Sequence, residues 1–238
     1  MAGTRRDRPT LKGRRVVPNR IFLAYPWERY RKHYEEVCNE MHRRFPVYFF
    51  ALGRPRGTRA EDLYQRIKKV VSASTFALFD ASKGNPNVSL EYGYADALDG
   101  LERFLLIDEY TIPSRSSAGT PIIADLAGLT QNRWQIDDLS TLRTHLEAIA
   151  ERHPYTVRFR NFTRRHGYRG GSIRAFLKII RKFDEREELL RRELLDELGT
   201  EPGAPGRAIL EQRLRTLHES GLVTVTRGNL ASSRVWIS

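Results

Sequence analysis

Short, wholly apolar runs alternate with longer amphipathic ones through the first two thirds of this chain. Ile21-Phe22-Leu23-Ala24, residues 47–52, residues 75–80 and Phe104-Leu105-Leu106-Ile107 each have strand length and are apolar nearly throughout. That is the pattern of strands covered on both faces. Between them, apolar residues recur three and four positions apart. Tyr30, Tyr34, Val37 and Met41 fall on one helical face, Leu63, Ile67 and Val70 on a second, and Leu139, Leu142, Leu146 and Ile149 on a last one that ends before Pro154. A short fifth strand is expected at residues 134–136. Strands separated by helices predict an α/β unit with a parallel sheet.

Beyond Pro154 the pattern changes. Ile173, Phe176, Leu177, Ile180 and Phe183 mark a basic amphipathic helix, and Leu189, Leu190, Leu194 and Leu198 continue an apolar stripe to Gly199. Leu210, Leu214 and Leu217 predict another helix, followed by Gly221-Leu222-Val223 and by strands around Thr224 and Val235 joined by a Gly-containing turn. The helix, Gly-Leu-Val and hairpin order resembles the end of a winged helix, although residues 200–205 leave little room for the usual middle helix. The expected organisation is a disordered basic arm at residues 1–19, an α/β domain at 20–154, a basic helical connector at 155–184 and a winged-helix-like α+β domain at 185–238.

The run Leu78-Phe79-Asp80-Ala81-Ser82-Lys83-Gly84-Asn85-Pro86-Asn87-Val88-Ser89-Leu90-Glu91-Tyr92-Gly93 reads as strand, polar turn and helix start. Asn85 before Pro86 matches an N-cap with proline at the first helical position, and Asn87 is a rival cap. On either choice Glu91 falls in or just past the first turn, where the helix dipole favours an ionised carboxylate. Helix electrostatics alone account for many such acids. Gly93 costs helix stability, so close packing against its backbone is expected. Asp80, at the carboxyl end of its strand, is expected on the same rim, where open α/β sheets bind ligands.

These residues carry a resemblance. Residues 20–153 resemble the TIR-like and nucleoside 2-deoxyribosyltransferase-like group, whose members pair a strand ending in Asp with an Asn-Pro-Asn-Val-x-x-Glu-x-Gly helix start. The resemblance implies a parallel flavodoxin-like (TIR-like) sheet flanked by helices. It also implies that Glu91 is the catalytic carboxylate of an N-glycosidase cleaving the ribose–base bond of NAD or a related nucleotide, in bacterial antiviral (phage) defence. Some members only bind nucleotides. Asp80, Asn85, Asn87, Tyr25, Trp27 and Ser82 are then the candidate substrate contacts. Capping is the competing role for both asparagines, and a turn role for Ser82. Tyr30 sits on the apolar helix stripe and is assigned to the core.

Net charge is +12 in 238 residues, and it is unevenly placed. Residues 1–20 hold +6, residues 155–192 hold +8, and residues 21–154 and 193–238 hold −1 each. The basic connector, with Arg164, Arg165 and Arg169, and the later Arg207, Arg213 and Arg215 are candidates for contact with nucleic acid or a regulatory protein partner. A non-catalytic nucleotide-sensing regulator that binds nucleic acid is the alternative function.

No run approaches the ~20 apolar residues of a membrane span, and no secretory signal is visible, so a cytoplasmic protein without membrane partners is expected. Cys38 is the only cysteine and is expected to be a buried structural thiol. The six histidines show no metal-ligand spacing, so neither a metal nor a cofactor is expected, with NAD or a nucleotide acting as substrate. Residues 110–120 are expected to form a mobile loop over the pocket. The active form is expected to be a homo-oligomer or larger complex.

Overall fold

The computed structural model describes residues 10–11, 14–52, 60–111, 131–184, 186–201, 203–226, 228–229 and 231–238. A two-stranded hairpin, β1 (Thr10–Leu11) with β2 (Arg14–Arg15), precedes the first long strand. Then follow β3 (Arg20–Ala24), α1 (Trp27–Arg44), β4 (Tyr48–Ala51), α2 (Ala60–Ser72), β5 (Phe76–Asp80), α3 (Pro86–Asp96), β6 (Glu102–Asp108), β7 (Gln131–Trp134) and α4 (Leu139–Arg152). The five strands β4-β3-β5-β6-β7 pair in that spatial order, every pair parallel. Counting only these five in chain order gives 2-1-3-4-5, an order compatible with a flavodoxin-like fold.

Alternation along each strand divides the core in two. Ile21, Leu23, Phe76, Leu78, Phe104 and Leu106 point to the face covered by α1 and α4, where Tyr30, Tyr34, Val37, Met41, Leu142 and Leu146 are buried. Phe22, Ala24, Ala77, Phe79 and Leu105 point to the other face and meet Val71 of α2 and Val88, Tyr92 and Ala95 of α3. Both faces being apolar is why these strands read as continuous apolar runs.

The fifth strand lies at Gln131–Trp134 rather than at 134–136. It is the edge of the sheet, and the polar sequence Gln131-Asn132-Arg133 gives no apolar run to mark it; Trp134 is fully buried. The Gly53-Arg54-Pro55-Arg56-Gly57 breaker run lies outside the described residues. So does most of the loop expected at 110–120, of which Tyr110 and Thr111 sit in a short 3-10 turn.

The expectation of a disordered arm through residue 19 is corrected for residues 14–19. Arg14 donates to Ser72 O at 2.9 Å and Asp99 O at 3.0 Å, and Val17 N donates to Ala73 O at 2.7 Å. Val16 and Asn19 are buried. The short apolar stretch Val16-Val17-Pro18 gives this part something to bury, which its charge-rich surroundings obscured.

Helices α5 (Pro154–Arg165) and α6 (Gly171–Arg181) follow directly, then β8 (Leu189–Leu190), α7 (Arg191–Gly199), α8 (Arg207–Glu219), β9 (Val223–Val225) and β10 (Arg234–Ile237). Gly170 enters α6 at φ 47°, a conformation favouring glycine, so the Gly-Gly pair is a helix entry. The expected single stripe over 189–198 is split. Leu189 and Leu190 pair with Val235 and Arg234 of β10, and the helix begins only at Arg191. The resulting antiparallel sheet has the order β8-β10-β9. One apolar cluster runs from the α1 face of the parallel sheet through Tyr155, Phe159, Phe162, Phe176 and Ile180 to Leu214, Leu217 and Val235. Tyr155 Oη donates to Leu222 O at 2.8 Å, and Arg158 bonds Ser238 O at 2.9 Å and Gly221 O. Among the described residues no helix is long and apolar enough to cross a membrane.

Candidate functional site

In a 2-1-3-4-5 sheet the chain turns in opposite directions from β3 and β5, and the crevice beyond their carboxyl ends is where such folds take ligands. The Tyr25-Pro26-Trp27 turn leaves β3 there and the 82–85 turn leaves β5. Most of the candidate residues therefore gather at one edge of the sheet, but their roles differ sharply.

Asp80 was expected to contact substrate, and the structure corrects this. Its side chain is fully buried, accepting from Tyr34 Oη at 2.7 Å, Trp134 Nε1 at 3.1 Å, Ser82 N at 2.9 Å and Ser82 Oγ. Four donors fill the acceptor directions of a carboxylate. Burial pushes its pKa up to about 6, with the hydrogen bonds from Ser82, Tyr34 and Trp134 opposing that rise.

Ser82 is likewise sealed, and its hydroxyl accepts from Asp108 N at 2.7 Å, linking the ends of β5 and β6. Asp108, equally buried, accepts from Tyr30 Oη at 2.8 Å and Tyr110 N at 3.2 Å. Sequence reasoning missed Asp108 as a partner in this network. The available signal was an aspartate ending each of two neighbouring parallel strands.

Asn85 is the helix cap. Its Oδ1 accepts from Asn87 N at 3.0 Å and Val88 N at 3.3 Å, which commits that oxygen to α3. Asn87 is an exposed residue of the first turn, not the cap. With the cap at Asn85, Glu91 is the sixth helical residue and lies beyond the first turn, where dipole stabilisation has faded.

The expectation of a readily ionised Glu91 is accordingly corrected. The carboxyl is half-buried beside Tyr92 and Val88, and burial alone raises its pKa to about 7. Among the described residues it has no hydrogen bond and no ion pair. Asp80 and Asp108 are tied up by donors; Glu91 is not. Gly93 is also unlike the expectation: a Cβ there would meet nothing within 4 Å among the described residues, so close packing does not explain it.

Tyr25 and Trp27 belong to the opposite face of the sheet from α3. Tyr25 is buried and stacks on Tyr34 at 4.4 Å and on Trp27 at 5.5 Å, and Arg31 covers Trp27 at 5.0 Å. The structure thus separates these aromatics from Glu91. Tyr30 packs edge-on to Trp134 in the core, as its helical position implied.

Arg164, Arg165 and Arg169 are exposed around the end of α5, and none makes an ion pair among the described residues. Arg207 is not free in the same way, because Asp196 holds it at 2.9 Å. Arg213 is half-buried and Arg215 exposed on α8. Cys38 is buried, and desolvation pushes its thiol far above the reactive range. No group of three or more His, Cys, Asp or Glu residues that could hold a metal occurs among the described residues.

No family model matches this chain, and no curated protein or solved structure matches it either.

Proposed function

We propose that the protein is an N-glycosidase that cleaves the ribose–base bond of NAD or a related nucleotide, with Glu91 as the catalytic carboxylate, and that it serves as an antiviral effector. The observation that carries this reading is a half-buried carboxyl that, among the described residues, has no donor and no counter-ion, on the helix that follows β5. A fold tolerates such a group at a cost in stability, and functional sites are where that arrangement concentrates. The Asn-Pro-Asn-Val-x-x-Glu-x-Gly resemblance supplies the reaction class.

With NAD as substrate, the C1′–N bond breaks with its electron pair going to the pyridinium nitrogen, so nicotinamide leaves neutral and needs no acid. Positive charge develops at C1′, and the ionised Glu91 carboxylate stabilises it. Water then adds to C1′, its proton passing to Glu91 and on to solvent. The Glu91→Gln variant of the purified chain, incubated with NAD, NADP and nucleosides with product analysis, tests the assignment. Loss of about a hundred- to a thousand-fold in rate with unchanged folding is expected; full activity removes Glu91 from the chemistry.

A second reading is favoured by the carboxyl-terminal topology and the exposed arginines. The order α6-β8-α7-α8-β9-β10, with β10 between β8 and β9, supports a winged-helix-like reading in which α7 takes the place of the middle helix. We infer a winged-helix-like unit in which nucleic acid binds Arg164, Arg165, Arg169 and Arg215, acting either as a regulator's ligand or as the trigger of the glycosidase. Binding to single-stranded, duplex and hybrid nucleic acid at low salt should be lost when Arg164, Arg165 and Arg169 are all changed to Glu. Unchanged binding would place the contact elsewhere.

A further inference from the structure

Residues 152–183 hold ten arginines and lysines and no aspartate or glutamate. Six of the ten are committed within the fold. Arg152, Arg160, Lys178 and Lys182 are held by glutamates, Arg158 bonds backbone carbonyls, and Arg181 donates to His42 O with the charge of Asp184 acting on it. The other four, Arg164, Arg165, Arg169 and Arg174, are exposed at the end of α5 and the start of α6, and among the described residues none makes an ion pair. Four like charges within eleven residues of chain repel one another, and a polyanion relieves that repulsion.

The turn between the two helices sets rings among these charges. His166 is exposed and lies nearly parallel to the half-buried Tyr168, their centroids 5.8 Å apart and their planes 18° from each other. Tyr168 is backed by the core, edge-on to Phe176 at 5.0 Å and tilted on Phe162 at 5.4 Å. The backbone fixes the pair. Gly167 takes φ 65°, and Tyr168 N donates to Thr163 O at 2.9 Å, which closes the end of α5. His166 Nδ1 donates to Phe162 O at 3.0 Å, so the outer ring is held as well.

Helix α8, which a winged helix would lay in a duplex groove, is unlike this turn. Residues 191–219 carry six acids against five arginines, and Arg207 is held by Asp196. Exposed Ala208, Ile209 and Gln212 offer a phosphate no positive charge. A duplex also hides the faces of its bases, whereas a fixed ring beside cations serves a base that is unpaired.

We propose that the α5–α6 turn binds single-stranded nucleic acid, an unpaired base stacking on His166 while Arg164, Arg165, Arg169 and Arg174 take the adjoining phosphates. This rests on the nucleic-acid reading of the arginines and adds to it the ring platform, Arg174 and the strand state of the ligand.

Fluorescence anisotropy of the full chain at about 0.1 M salt tests this, with labelled single strands of mixed sequence as DNA and as RNA, their duplexes, and an abasic DNA strand of the same length. The intact strand should bind at least about fivefold tighter than its duplex and than the abasic strand, and the tighter of DNA and RNA names the source. His166→Ala should remove that preference and leave the salt dependence of binding unchanged. His166→Phe, which restores a ring but not the hydrogen bond to Phe162 O, should recover the preference. Arg174→Gln should instead weaken every strand alike and flatten the salt dependence. Equal binding of intact and abasic strands by the native chain overturns the proposal whether or not the variants fold, and leaves the arginine reading standing. Tighter binding of the duplex does the same, as does a His166→Ala protein that keeps the preference or a His166→Phe protein that fails to regain it. Absence of binding by every strand overturns the arginine reading together with the proposal.

Discussion

Tyr34 Oη donates to Asp80 Oδ2 at 2.7 Å, joining the middle of α1 to the end of β5 inside the core. Because Asp80 also accepts from Trp134 and Ser82, the network fixes the relative positions of α1, β5 and β7. Tyr34→Phe removes one donor to a buried carboxylate and should cost about 1.5–3 kcal/mol in chemical denaturation. Asp80→Asn should cost at least as much, since an amide cannot accept from every donor around it. A stable Asp80→Asn protein with only a raised KM would contradict the structural role.

The Glu91 carboxyl, raised to about 7, gives two linked expectations. Cleavage that needs the ionised form should rise with pH, with kcat/KM climbing through an apparent pKa near 7. Stability moves the other way. A carboxyl with a folded pKa above its unfolded value contributes fully below about 4.5, and that contribution is lost as pH rises through about 7. Glu91→Gln should therefore be more stable than the native chain at pH 8, by about 1–3 kcal/mol, and no more stable at pH 4. Denaturant titrations at the two pH values check the sign.

Gly93 sits in the interior of α3 with open space where a Cβ would stand. Gly93→Ala should stabilise the chain by about 0.5–1 kcal/mol, through helix propensity and a less flexible unfolded state. A loss of stability would show that something approaches this backbone closely.

His153 is sealed at the junction of α4 and α5, where its Nδ1 accepts from Tyr155 N at 3.2 Å. Burial lowers its pKa to about 3. The unfolded chain therefore binds a proton below about pH 6.5 that the folded chain refuses, and stability falls as pH drops through that window. His153→Asn keeps a capping oxygen and removes the titration. Relative to that variant, the native chain should lose about 2 kcal/mol between pH 8 and pH 5. Parallel curves for the two proteins would refute the assignment.

Local pattern alone made much of this protein legible. The apolar runs of β3, β5 and β6 and the helical spacing of Tyr30, Tyr34, Val37 and Met41 reflect burial on fixed faces, which depends on a period of two or 3.6 residues and little else. Asn85 and Pro86 marked the start of α3 because capping is satisfied within three residues. What remained hidden depends on contacts distant in sequence. Gln131-Asn132-Arg133 carries no strand pattern because an edge strand is only partly covered. Asp80 looked like a rim residue until Tyr34 and Trp134, each tens of residues away, closed over it. The charge state of Glu91 likewise follows from desolvation by the surrounding fold, which overrides the helix dipole that its position in the sequence suggested.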